Sequence, residues 1–131
     1  MLEQEVRLLS AGLLAYVGDS VYELKARTYL VRKGYRNAKK IHQAAVNLVK
    51  ASAQAQVLLN IESALSEAEK NIVRRGRNNK TGSVPSNVDI SEYRISTGLE
   101  ALFGYHFLCG NEERIYHLWD LVVASLAKDE E

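Results

Sequence analysis

GLLAYVGDSVYELKARTYL, residues 12–30, decides the fold. The stretch contains no proline, and its apolar residues recur at spacings of three and four, which makes it a helix and not a strand. At about 100° per residue, Leu13, Leu14, Val17, Val21 and Leu24 share one face. The opposite face holds Gly12, Ala15, Tyr16, Asp19, Glu23, Ala26 and Leu30. A helix apolar on two sides is expected to pack on both. Asp19 and Glu23, one turn apart, then project side by side from small and apolar surroundings, where like charges repel unless a cation or a proton intervenes. Gly18 costs such a helix roughly 1 kcal/mol relative to alanine. Close approach of another backbone is one reason to keep it.

SEYRISTGLEALFGYHFL, residues 91–108, repeats the arrangement. Glu100 shares its face with Tyr93, Ser96, Thr97, Phe103, Gly104 and Phe107, again an acid among small and aromatic residues with a glycine one turn away. A buried carboxylate must be protonated, salt-bridged or metal-bound, because desolvation makes the bare charge expensive. If the two small-residue helices cross, Asp19 and Glu100 come together, and paired carboxylates with room for water are what Mg²⁺ accepts. The competing account is structural, each acid pairing with a cation such as Arg27, Arg94 or Lys25. The residues alone leave both open.

Working outward, helices are expected over residues 2–9, 11–33, 37–60, 65–76, 91–108 and 111–127. No segment alternates apolar and polar residues long enough to make a strand, so the fold class is all-α, a helical bundle. Gly34 is a stop signal, Asn37 a helix N-cap, and Ser66-Glu67-Ala68-Glu69 a capping box in which Glu69 reaches back to the cap. Asn111 ahead of Glu112 and Glu113 starts the last helix, with its acids near the positive end of the dipole. Along 37–60, Ile41, Ala45, Leu48, Ala51, Ala55, Leu58 and Leu59 form a core-facing stripe. GRNNKTGSVPSNVD, residues 76–89, carries the chain's one proline, Pro85, and reads as loop.

The 131 residues amount to one domain, and 47% hydrophobic with 25% charged residues is globular rather than disordered composition. A single cysteine, Cys109, excludes an intramolecular disulfide and a cysteine-built zinc site. No run of about 18 apolar residues occurs, and the start MLEQEVRLLS is too acidic and polar for a signal peptide. The expectation is a soluble, cytoplasmic protein that does not engage a membrane.

The net charge of +1 points to no partner by itself, but it hides a cluster. From Lys70 to Arg94 the cations are Lys70, Arg74, Arg75, Arg77, Lys80 and Arg94, against only Asp89 and Glu92. Within it, RRGRNNKTG mixes cations, asparagines and glycines, a composition suited to phosphate contacts and to shape readout of an A-form duplex. By charge, Arg74, Arg75, Arg77, Asn78 and Lys80 are the candidate RNA contacts. The bland alternative is a solvated helix end. His42, His106 and His117 have no metal-ligand spacing and read as core or surface residues, and the segment lacks the GK[ST] ending of a phosphate loop.

At AYVGDSVYE, residues 15–23, and STGLEALFGYHFL, residues 96–108, the sequence resembles the catalytic domain of the ribonuclease III family. The first segment is similar to the family's Gly-Asp signature helix, the second to its later helix with a Glu-Ala-Leu-X-Gly run. RRGRNNKTG, then Pro85, Asp89 and EYRISTGLEAL, resembles the short Mini-III branch, which has the endonuclease domain without an appended double-stranded-RNA-binding domain. The resemblance implies a ribonuclease III-like bundle over residues 1–131. It makes Asp19 the catalytic aspartate and Glu100 the metal-binding glutamate, with Mg²⁺ held between them. The longer enzymes carry two further carboxylates, at positions occupied here by Ala15 and Thr97. Glu23 is the candidate third catalytic residue, orienting Asp19 or holding water from one turn away.

The implied activity is Mg²⁺-dependent hydrolysis of double-stranded RNA by a homodimer, with the 23S ribosomal RNA precursor as substrate. A ribosomal protein that presents this substrate is a candidate further partner. Two other classes stay open on the residues alone. One is a non-catalytic double-stranded-RNA-binding module of the same fold, and the other a helical adaptor with structural acids at Asp19 and Glu100.

Overall fold

The computed structural model describes residues 1–79 and 84–129. Among the described residues seven α-helices follow one another, α1 (Glu3–Arg7), α2 (Ala11–Lys33), α3 (Ala38–Val49), α4 (Ala51–Ile61), α5 (Glu67–Arg77), α6 (Ile90–Cys109) and α7 (Glu112–Asp129), with a 3-10 turn at Glu62–Ala64. Among the described residues there is no strand, so the expected all-α class holds.

The punctuation read from the sequence is where the helices end. Gly34 adopts φ 113°, the left-handed conformation that closes α2. Asn37 accepts from the Lys40 amide, and Asp89 caps α6 by accepting from Glu92. Ser66 and Glu69 form the reciprocal capping box of α5. The expected loop over 76–89 shortens only at its start, where α5 runs on to Arg77, and ends as expected at Asp89, with α6 beginning at Ile90.

One expected helix is two. Residues 37–60 as a single rod would run roughly 36 Å at 1.5 Å per residue. Instead the backbone at Lys50 is extended, φ −62° and ψ 155°, separating α3 from α4. The break lets each half find its own surface. α3 lies along α2 and buries only Ala45, whereas α4 turns inward under α6 and buries Gln54, Ala55, Val57, Leu58 and Ile61. Leu59, expected in the core stripe, is exposed.

α6 is the central helix, in contact with α1, α2, α4, α5 and α7. It is buried nearly all round from Leu99 to His106, which is why its sequence shows no single apolar face. The larger core unites Tyr22, Val57, Leu58, Leu99, Leu102, Phe103, Leu118 and Val122. There Tyr22 meets Phe103 and Trp119 edge to face, at ring distances of 5.2 and 5.3 Å. A smaller cluster of Val6, Leu14, Ala15, Ile72, Ala101 and Tyr105 ties α1, α2 and α5 to another side of α6. No helix of the described residues is long and apolar enough to cross a membrane.

α2 departs from the expectation of two packed faces. Its buried line is Leu14, Ala15, Gly18, Tyr22, Ala26 and Leu30, running between the two faces drawn from the sequence. Leu13, Tyr16, Leu24 and Val31 stand exposed in the single chain.

Candidate active site

Glycine sets the site. α2 and α6 run antiparallel with Gly18 against Glu100 and Gly104 against Leu14. A Cβ on Gly18 would overlap the Glu100 carbonyl, and one on Gly104 would overlap the Leu14 carbonyl. The two backbones therefore touch, as Gly18 foreshadowed. A second such crossing joins α5 to α6, where a Cβ on Gly76 would come 2.7 Å from the Gly98 Cα and 3.0 Å from the Thr97 carbonyl.

The first crossing brings the Asp19 and Glu100 carboxylates together, within hydrogen-bonding reach. Glu100 is half-buried, and Asp19 stands on the exposed edge of α2. Burial, and then the charge of Asp19, push the Glu100 carboxyl up to about 8, opposed by a hydrogen bond from Gln54. The same buried charge, after desolvation, pushes the Tyr22 phenol upward. Among the described residues neither acid forms an ion pair, so the cations weighed as structural partners are elsewhere. Arg27 is bound to Glu23 at 2.9 Å, and Lys25 lies over the Tyr116 ring. Glu23 thus lies one turn beyond Asp19, half-buried and neutralised by its own arginine.

Two carboxylates that share too much negative charge are a hard-oxygen donor set lacking its positive charge. A divalent cation such as Mg²⁺ fits that chemistry, completing its sphere with water and phosphate oxygens. Asp19 and Glu100 are the residues that could hold it. Among the described residues no third His, Cys, Asp or Glu joins them.

The basic segment ends against α6, on the N-terminal side of Glu100. The Gly76–Gly98 contact sets the last turn of α5 on α6 at Thr97, one turn before Glu100, and the Asn79 side chain packs on Gly12 of α2. The cations there divide between two sides of α5. Arg74, Arg77 and Asn78 line a groove of about 550 Å³ together with Lys70, Glu62 and Ser63. Arg77 is 4.0 Å from Glu62, and Arg74 is exposed. Arg75 points to the other side, where it donates to the Leu9 carbonyl at 2.7 Å and fastens α5 to the α1–α2 junction. Lys80 lies outside the described residues.

Sequence reasoning missed two features. One is Gln54, buried beside Glu100, whose signal was a polar residue on the stripe between Ala51, Ala55 and Leu58. The other surrounds Glu69. Beyond its capping role, the Glu69 carboxylate accepts from Arg114 Nε and Nη2, each at 2.8 Å, and from His106 Nε2 at 2.7 Å. Asn111 Nδ2 donates to His106 Nδ1 at 3.0 Å, so the histidine is a neutral, buried strut on the side of α6 away from Glu100.

Comparison with known proteins identifies the family. The sequence profile of the Ribonuclease III domain matches residues 13–111, which span both glycine crossings. Mini-ribonuclease 3 of Thermoanaerobacter sp. strain X514 is 43% identical over 121 residues, covering 92% of this chain and 85% of that protein. Mini-ribonuclease 3 of Enterococcus faecalis is 34% identical over 130 residues, 98% of each chain. The crystal structure of a Fusobacterium nucleatum protein superposes with a TM-score of 0.80 at 32% identity, over 92% of this chain and 96% of that one. The chain belongs to the ribonuclease III family of endoribonucleases.

Proposed function

We propose that the protein is a Mg²⁺-dependent endoribonuclease acting on double-stranded RNA, that it works as a cytoplasmic homodimer, and that the 23S ribosomal RNA precursor is its natural substrate. The observation that carries the reading is the Asp19–Glu100 carboxylate pair, unpaired by cations among the described residues, with α5 packed on α6 at Thr97, one turn before Glu100. Asp19 and Glu100 hold the metal from opposite helices, and the antiparallel crossing keeps their separation fixed because both backbones are in contact. When bound, Mg²⁺ supplies the charge that polarises the scissile phosphate and lowers the pKa of water. Glu23, tethered by Arg27, sits one turn from Asp19 and orients the water-facing side of the pair.

Arg74, Arg77 and Asn78 place backbone phosphates, reading duplex shape rather than base sequence. Lys80 continues that track, and Arg75 serves it chiefly by anchoring α5. The exposed apolar side of α2, with Leu13, Tyr16, Leu24 and Val31, supports the homodimer. The relatives' shared name supports the nuclease activity, and a ribosomal protein that presents the substrate belongs to the same reading.

The test is cleavage of a purified RNA duplex in Mg²⁺ and in EDTA, with Asp19→Asn alongside. Cleavage that needs both the metal and Asp19 is the expected result. A duplex that shifts in a gel at low salt yet is never cut would make the protein a binding module instead.

A further inference from the structure

Gln54 is a buried polar residue next to Glu100 that the catalytic reading leaves without a role. It lies on the inward stripe of α4, 2% exposed. Its Nε2 donates to the Val49 carbonyl at 2.8 Å and reaches Glu100 Oε2 at 3.5 Å. Its Oε1 is buried with no partner among the described residues. The Val49 carbonyl can only accept, so turning the amide over would set oxygen against oxygen at 2.8 Å, and its orientation is fixed. A methionine would fill much the same volume without burying an orphaned oxygen. Packing therefore does not account for glutamine here, and the N–H groups do.

We propose that Gln54 is a positioning residue, its amide holding the Glu100 carboxylate beside Asp19 in the arrangement that receives the divalent cation. The proposal rests on the metal-dependent reading given under Proposed function. α2 supplies Asp19, α6 supplies Glu100, and α4 supplies the donor that restrains one oxygen of Glu100. The break at Lys50 is what brings that donor in, because a continuous helix over 37–60 would not turn α4 under α6. Groups that hydrogen-bond a metal-binding carboxylate characteristically change metal affinity by about 10–100-fold when removed.

The experiment uses Mn²⁺ as the probe, with free Mn²⁺ read by electron paramagnetic resonance in the absence of RNA. Wild type, Gln54→Met and Gln54→Glu are compared, and circular dichroism melts in EDTA report folding. Gln54→Met is expected to bind Mn²⁺ about tenfold more weakly. Its duplex cleavage should need correspondingly more Mg²⁺, with kcat recovering at saturation. A folded Gln54→Met with unchanged Mn²⁺ affinity and Mg²⁺ midpoint would overturn the proposal and leave Gln54 as a brace for Val49. Should Gln54→Met fail to fold, Gln54→Glu decides. It sets a third carboxylate against Glu100, so Mn²⁺ should raise its melting temperature more than it raises that of wild type, and an equal rise overturns the juxtaposition. A wild-type protein that binds no Mn²⁺ removes the metal reading itself, a failure distinct from that of Gln54.

Discussion

Gly18 and Glu100 meet backbone to backbone, with no space for even one carbon between them. The contact packs α2 on α6 and places Asp19 next to the Glu100 side chain, so one residue without a side chain serves both the fold and the site. Gly18→Ala should therefore destabilise the protein despite the roughly 1 kcal/mol that alanine gains as a helix former. Overpacking against a flexible side chain costs about 1–3 kcal/mol, and here the obstacle is a backbone carbonyl that cannot move alone. A net loss of about 2 kcal/mol or more in denaturant unfolding is expected. A variant as stable as wild type would mean that the helices can part without loss.

This contact also shows why much of the site was legible in the sequence. Gly18 stands next to Asp19, and Gly104 one turn from Glu100, on helices otherwise made largely of small and apolar residues, and that pattern is local. Helix ends were legible for the same reason, since Gly34, Asn37 and Ser66 act within a turn. What was not legible is long-range. The break at Lys50 follows from where α4 must go to cover α6, and Lys50 carries no glycine or proline signal. The Glu69–His106–Arg114 cluster joins three helices far apart in the chain, so Glu69 looked like a cap and His106 like a stray histidine, and nothing singled out Arg114.

Glu100→Gln should stabilise the metal-free protein while abolishing cleavage. The carboxyl of Glu100 is raised to about 8 by burial and by Asp19. A raised folded-state pKa contributes stability that is full below the unfolded value near 4.5 and lost as pH rises through about 8. The glutamine has no such loss. In EDTA its melting temperature should match that of wild type near pH 4.5 and exceed it by several degrees at pH 9, corresponding to about 1–3 kcal/mol. Identical melting curves at pH 9 would show that the Glu100 charge is relieved in another way.

Acid should loosen the molecule on the side of α6 away from Glu100. Arg114, the Ser66 amide and His106 hold the Glu69 carboxyl down to about 2 against the penalty of its burial. Burial also lowers the His106 pKa. Both groups have folded-state values below their unfolded ones, so both contribute stability at neutral pH and lose it on acidification. His106 acts first, below about 6.5, and Glu69 follows between about 4.5 and 2. Glu69→Gln should flatten the lower part of the wild-type profile of melting temperature against pH. It should also cost about 1–3 kcal/mol at pH 7, because Arg114 and His106 lose their shared acceptor. A profile with the same acid limb as wild type would place the acid sensitivity elsewhere.

The basic end of α5 should separate by side chain into grip and anchor. Arg74 and Arg77 line the open groove with Lys70, and each one removed should take about one unit off the slope of log affinity for duplex RNA against log salt concentration. Arg77 gives the smaller change if its 4.0 Å approach to Glu62 already neutralises part of its charge. Arg75 is committed to the Leu9 carbonyl, so Arg75→Ala should instead lower stability by about 1 kcal/mol and leave the salt slope nearly unchanged. Binding is best measured with Asp19→Asn as background, in EDTA, so that cleavage does not consume the duplex. Equal slopes for Arg74→Ala, Arg75→Ala and wild type would mean that phosphates are held by another surface. A slope that falls most for Arg75→Ala would mean that its bond to Leu9 opens when RNA arrives, turning the anchor itself into a contact.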